Sequence, residues 1–154
     1  MQIIRYFNIL LTGIITGILA GIWIGLNPAG FSFATYLPIQ QKLISDLYHY
    51  LPGLQLAALI LCVISAWQHK KQRLVFWGFI VASLLLACSI LISLIAIHPL
   101  YTQMMSWTIT TLPAQWEPLE RESWQYQQWQ TMAVLLAFCI IVWYSLSEPE
   151  IKPA

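Results

Sequence analysis

The side chains able to do chemistry are few in this 154-residue chain, and most lie in two places. His49 and His98 stand at the edges of apolar runs, and a polar segment extends from Glu117 to Gln130. Within that segment Glu117, Arg121 and Gln125 are spaced four apart, as are Trp116, Glu120, Trp124 and Gln128. Residues so spaced share a helix face, so they can line a shallow cavity. His49, His98 and Glu120 are accordingly candidate substrate-binding residues. The plainer alternative makes the histidines interfacial anchors and the Glu/Arg cluster a solvated helix end. A more remote one is a b-type haem protein using His49 and His98, which requires the two rings on opposing faces of one pocket. No His-x-x-x-His or Glu-x-x-His spacing supports a metal site. The sequence also lacks a glycine-rich phosphate loop, a nucleophile elbow and a zinc motif. No metal and no cofactor is therefore assigned.

The elements that must position these residues follow from composition. Hydrophobic residues make up 59% of the chain, aromatic residues 14% and charged residues only 8%. A water-soluble domain carries charge on roughly a quarter of its residues, so the expected solvent of this chain is lipid. A net charge of +1 gives no sign of nucleic-acid binding. A bilayer core about 30 Å thick needs about 20 apolar residues of helix, and residues 6–26, 51–67, 74–97 and 129–146 fit that requirement. The expected fold is all-α, an integral membrane four-helix bundle forming one transmembrane domain over 1–154. The first stretch is longer than the apolar run of a cleaved signal and reads as a retained helix. No Asp, Glu, Lys, Arg or His falls within the four stretches, which argues against an ion pump, a proton relay or a charged-substrate transporter. Cys62, Cys88 and Cys139 each sit in an apolar run, with no Cys-x-x-Cys pair, and read as buried small hydrophobes.

Orientation follows from the basic residues. His69, Lys70, Lys71 and Arg73 crowd the short turn 68–73, and placing that turn in the cytoplasm puts Arg5 and Lys152 there too. Both termini are then cytoplasmic, and the short, unadorned chain suggests a bacterial inner membrane. The outer connections, 27–50 and 98–128, are long enough to hold structure of their own. In the first, Pro38 is expected to start an amphipathic interfacial helix that presents Ile39, Leu43, Ile44, Leu47 and Leu51. In the second, Pro99 is expected to start a short helix through Met104 and Trp107, with Pro118 starting the next. Gly13, Gly17, Gly21 and Gly25 recur every fourth residue and form a smooth stripe for close helix approach. Its partner is either the small-residue face Ala82, Ser83, Ala87, Ser89 and Ser93, or a second copy or other membrane protein docking as a dimer seam.

This order of spans, with a long segment before the last, resembles the anthrone oxygenase-like membrane proteins, whose bacterial members are a domain of unknown function. The likeness rests on Gly17 to Gly21, on Pro38, on His98-Pro99-Leu100-Tyr101 and on Trp116. It rests most on Arg121-Glu122-Ser123-Trp124 leading into the last span. Members carry Arg-x-x-Trp-x-x-x-His there, and Arg121, Trp124 and Gln128 fall on those three places. The resemblance implies the fold, and oxidation of a lipophilic anthrone without a metal cofactor. It makes Arg121, Trp124 and Gln128 candidate catalytic residues: Arg121 to stabilise an enolate-like oxygen, Trp124 to stack on the ring, and Gln128 or else His98 to orient the substrate. Glutamine in place of histidine is a departure, because an amide is no general base near neutral pH. Beside this oxygenase reading stands a non-catalytic one, an accessory or lipophilic-small-molecule-binding membrane protein.

Overall fold

The computed structural model describes residues 2–47, 50–111 and 113–147, and these are all-helical. Helix α1 (Gln2–Gly25) stops before Pro28, whose ring holds Asn27 in an extended conformation. The Asn27 side chain accepts from the Ala29 amide at 3.1 Å and turns the chain through a single 3₁₀ turn (Pro28–Gly30). Helix α2 (Phe33–Leu47) then begins at Ser32, whose carbonyl accepts from Thr35 and Tyr36. It starts five residues before the expected Pro38, which is tolerated inside the helix on its exposed side. The face α2 buries is Tyr36, Leu37, Gln40 and Ile44, while Ile39 is exposed. Helix α3 (Leu51–Gln68) is followed by a tight turn, closed by the Gln72 amide on the His69 carbonyl.

The third apolar stretch does not end at His98 as expected. Helix α4 (Arg73–Leu91) passes into six residues of π-helix (Ile92–Ile97) and on into α5 (His98–Met105), a run of 33 residues. Pro99 explains the wide turn. Proline has no N–H to donate, and its ring clashes with the carbonyl four residues back. The π segment, in which the His98 amide reaches Ser93, spaces the backbone so that the helix continues. Helix α6 (Trp116–Leu146) is one unbroken element of 31 residues, with Pro118 in its first turn where a missing donor costs nothing.

Helices α1, α3, α4 and α6 close a ring in which α1 touches α3 and α6, and α4 touches the same two. Each contributes to one core: Ile15 and Leu19, then Ala58, Cys62 and Ala66, then Phe79, Ala82 and Leu86, then Val134, Ala137 and Ile141. The alanines let the backbones approach around Phe79. At one end, α2, α5 and the start of α6 form a cap with its own small core of Leu37, Ile44, Met104 and Trp107. Gln41 joins α2 to α5 by donating to the carbonyls of Met104 at 2.9 Å and Trp107 at 3.0 Å. The opposite end carries the turn 69–72.

Buried polar side chains accompany the apolar core, and large apolar side chains are exposed on the outer faces of the helices. The buried face of α1 is Arg5, Asn8, Thr12, Ile15, Thr16 and Leu19, so its glycines point elsewhere. Only Gly13 meets another helix, at the Phe138 ring, and Gly17, Gly21 and Gly25 face open space. The expected match between this stripe and the small residues of α4 is therefore not made. Those residues lie across the ring, where Ala82, Ser83, Ser89 and Ser93 face the interior. Cys62 is buried as expected, whereas Cys88 and Cys139 are exposed.

The glycine that allows a close approach is Gly78, where an added Cβ would overlap the ring of Tyr144 on α6. Gly78→Ala is expected to destabilise the detergent-solubilised protein by about 1–3 kcal/mol, as overpacking does. Gly21→Ala has open space and gains up to about 1 kcal/mol of helix propensity. Thermal unfolding of the two variants should move in opposite directions; a harmless Gly78→Ala would contradict the α4–α6 packing.

Candidate functional site at the capped end

The buried hydroxyls and the buried amides behave differently, and the site grows out of that difference. A serine or threonine in a helix can donate to the carbonyl four residues back. Thr16 does so to Thr12, Ser65 to Leu61, Ser83 to Phe79 and Thr131 to Gln127, all at 2.7–2.8 Å. Asparagine and glutamine carry a second polar atom that this device does not satisfy. Gln55 donates to Ser89 at 3.2 Å, but its oxygen has no partner, and neither do the amide nitrogens of Gln127 and Gln130. These three glutamines lie inside the bundle.

Gln127 and Gln130 line a cavity of about 30 Å³ together with Ser93 and Tyr101. Its other walls are apolar: Ile22 from α1, Leu43, Ile44 and Leu47 from α2, Leu51 from α3 and Ile97 from the π segment. Tyr101 donates to the Gln127 oxygen at 3.5 Å. The same two residues and Ile22 also line a narrow crevice, completed by Tyr36, Gln40, Ser123 and Trp124. Trp124 is in turn a wall of an open cleft of about 310 Å³, at the small end of ligand-sized pockets. The cleft lies between Asn27, Pro28 and Phe31 on one side and Trp116, Glu117, Glu120 and Arg121 on the other. Trp124 thus stands between the outer cleft and the crevice, and Ile22, Tyr101 and Gln127 between the crevice and the inner cavity.

The expected site residues divide accordingly. Arg121, Trp124 and Glu120 come together in the cleft, Glu120 and Trp124 through their four-residue spacing and Arg121 beside them. Arg121 is exposed there. Lys42 pairs with Asp46 on α2 at 3.0 Å, whereas Glu117 and Arg121, four apart on α6, make no ion pair with each other. Gln128 turns toward α1. With its amide oxygen facing α1, it accepts from the indoles of Trp124 at 3.2 Å and Trp23 at 3.3 Å. It holds Trp124 in place and does not line the cleft. His98 is exposed and lines none of the three spaces. His49 lies outside the described residues.

Gln55 and Gln130 escaped the sequence reading because neutral amides in apolar runs carry neither a charge nor a motif. The signal that could have found them is the polar series Ser123, Gln127, Gln130 and Thr131 on one face of α6. A second buried polar group was also missed, at the turn end. Arg5 Nη2 donates to His69 Nε2, and His69 Nδ1 lies 2.6 Å from the Ser65 carbonyl. A guanidinium can only donate, so Nε2 accepts and Nδ1 carries the proton given to Ser65. Both residues had been read as charges of the tail and turn, yet they are buried and tie α1 to α3.

Tyr36 borders the crevice and Glu120 the cleft, and both lie outside the apolar stretches. Burial, and then the neighbouring charges of Glu120 and Tyr101, keep the Tyr36 phenol protonated well above its ordinary range. Half-burial and the nearby Glu117 push the Glu120 carboxyl up to about 7. The folded protein therefore keeps a proton that the unfolded chain releases at its ordinary value of 4.5. The stability this contributes is complete at pH values below 4.5, falls as pH rises toward 7, and then levels off. Glu120→Gln should remove that fall. The melting-temperature difference between Glu120→Gln and the parent should widen from pH 4.5 to 7, and a constant difference would contradict the shift.

No protein family, curated protein or solved structure matches this chain.

Proposed function

We propose that the protein is an integral membrane protein of four spans that takes up a small lipophilic molecule at its capped end. The observation that carries this reading is where the side chains lie. Four helices are long and apolar enough to cross a membrane. Their outward faces carry Ile24, Trp67, Leu74 and Trp143 at 69–79% exposure, while Asn8, Gln55, Ser65 and Thr131 are fully buried. In water each large exposed side chain would forgo roughly 1.5–3 kcal/mol of burial; in lipid that cost disappears. The basic residues Lys70, Lys71 and Arg73 at the turn end favour the cytoplasm for that end and for the N-terminus. The capped end then faces outward, and a bacterial inner membrane suits this plan.

The cleft supports the uptake half of the reading. An exposed guanidinium, an indole face and a half-buried carboxyl around one opening suit a flat, mostly apolar molecule bearing an oxygen. A second reading is favoured by the meeting of Arg121 and Trp124 in that cleft, the two places where the chain matches the anthrone oxygenase-like pattern. In that reading dioxygen is the oxidant. The anthrone methylene becomes a carbonyl, one oxygen atom entering the product and the other leaving as water. Arg121 stabilises the enolate formed when the methylene loses its first proton to the ionised Glu120 carboxylate in the same cleft. Gln128, held by two indoles, positions Trp124 and takes no proton.

Anthrone serves as the probe for both readings. It should quench the protein's tryptophan fluorescence beyond the quenching of a free tryptophan amide in the same micelles. Arg121→Ala should weaken that binding roughly tenfold, the effect of one hydrogen bond to a charged group. Absence of specific quenching would overturn the uptake reading. Binding without formation of the quinone would remove the oxygenase.

A further inference from the structure

We propose that the turn end binds the headgroup of an anionic phospholipid through Lys70, Lys71 and Arg73. The inference rests on the reading of four membrane spans with this turn at the cytoplasmic surface, and it is independent of uptake at the capped end. Lys70, Lys71 and Arg73 fall within four residues, and all three are exposed. The turn that carries them is held shut by the Gln72 amide, which donates to the His69 carbonyl at 2.8 Å, and by the buried His69 ring. The cations are therefore fixed at the ends of α3 and α4. The described acids are elsewhere: Asp46 on α2 and Glu117, Glu120 and Glu122 on α6 all belong to the capped end. Glu148 and Glu150 lie outside the described residues.

What lies beside the charge decides the partner. Trp67, Leu74 and Trp77 are 72%, 77% and 55% exposed. The Lys70 ammonium stands 5.8 Å from the centre of the Trp67 ring, within reach of a cation–π attraction. Arg73 and Trp77 are four apart on α4 and share a face, with the cation about 6 Å nearer the helix end. Both helix ends therefore place a cation outside an exposed indole. Indoles settle at the level of the lipid headgroups, which sets the cations among the phosphates. A phospholipid meets both halves of such a surface, its phosphate the cations and its chains the indoles and Leu74. A soluble protein would reach the turn alone, whereas a stable interface takes roughly 20–30 residues a side.

The test adds equal amounts of phosphatidylglycerol and phosphatidylcholine to the full chain in a nonionic detergent, and counts bound lipids by native mass spectrometry. Each cation near an anionic lipid is worth about fivefold, so the first lipid retained should be phosphatidylglycerol by about tenfold or more. That ratio should fall between about 0.1 M and about 1 M ammonium acetate, as the screening length drops from about 10 Å to about 3 Å. Replacing Lys70, Lys71 and Arg73 together by glutamine should bring it near one. Lys71→Gln, which alters one exposed side chain, should lower it severalfold and decides the matter if the triple variant fails to fold. Equal retention of the two lipids by the parent chain would overturn the headgroup site and leave the four spans standing. A preference that survives these substitutions, or is indifferent to salt, would overturn the assignment to these residues. Failure of the parent chain to stay with liposomes through an alkaline wash would overturn the spans and the site together.

Discussion

Buried polar side chains in this bundle must find partners in backbone carbonyls or in one another, and the rest of the architecture depends on how they are satisfied. The hydroxyls of α1, α3, α4 and α6 close onto carbonyls of their own helices, which leaves the inner helix surfaces free for alanines, branched aliphatic side chains and Phe79 to pack. The longer polar groups reach across. Arg5 reaches His69 at the turn end, and Gln55 reaches Ser89 nearer the cap. These two links join α1 to α3 and α3 to α4 on the inside of the ring. The outer faces, relieved of polar groups, become continuous apolar surfaces.

The same constraint separates the two ends. At the turn end the polar group is packed directly among helices, with Phe79 beside the His69 ring. At the capped end the glutamines of α6 border a space walled on another side by the cap. The cap holds an exposed ion pair and a small core of its own, and it is tied by Gln41 to α5. The π segment contributes as well. It carries the chain past Pro99, so that Tyr101 and Met104 stay on the inner face of a continuous helix and wall the cavity and cap.

Much of the fold was legible in the sequence. Apolar runs of about 20 residues locate the four long helices whatever they pack against, and the four-residue spacing of Glu120 with Trp124, beside Arg121, assembled the cleft. What spacing does not tell is where a shared face points. The glycine stripe was real, but Asn8, Thr12 and Thr16 need the interior more than glycines do, and they rotate α1 accordingly. Proline misled for a related reason. Pro38 and Pro99 fit helix starts locally, yet an exposed position in α2 and a π turn before α5 let both sit within longer helical runs. Arg5 and His69 were counted as charges when their pairing buries them. Gln127 and Gln130 gave no charge to count, and their place on a cavity wall follows only from tertiary packing.

The central claim is that the outward faces of the four helices are solvated by lipid, and the native cysteines allow a direct measurement. Cys88 on α4 and Cys139 on α6 are exposed, while Cys62 is buried. Nitroxide labels on Cys88 and Cys139 in liposomes should collide far more often with oxygen, which concentrates in the bilayer, than with a water-soluble nickel complex. Collision dominated by the nickel complex at either position would place that face in water and contradict the account.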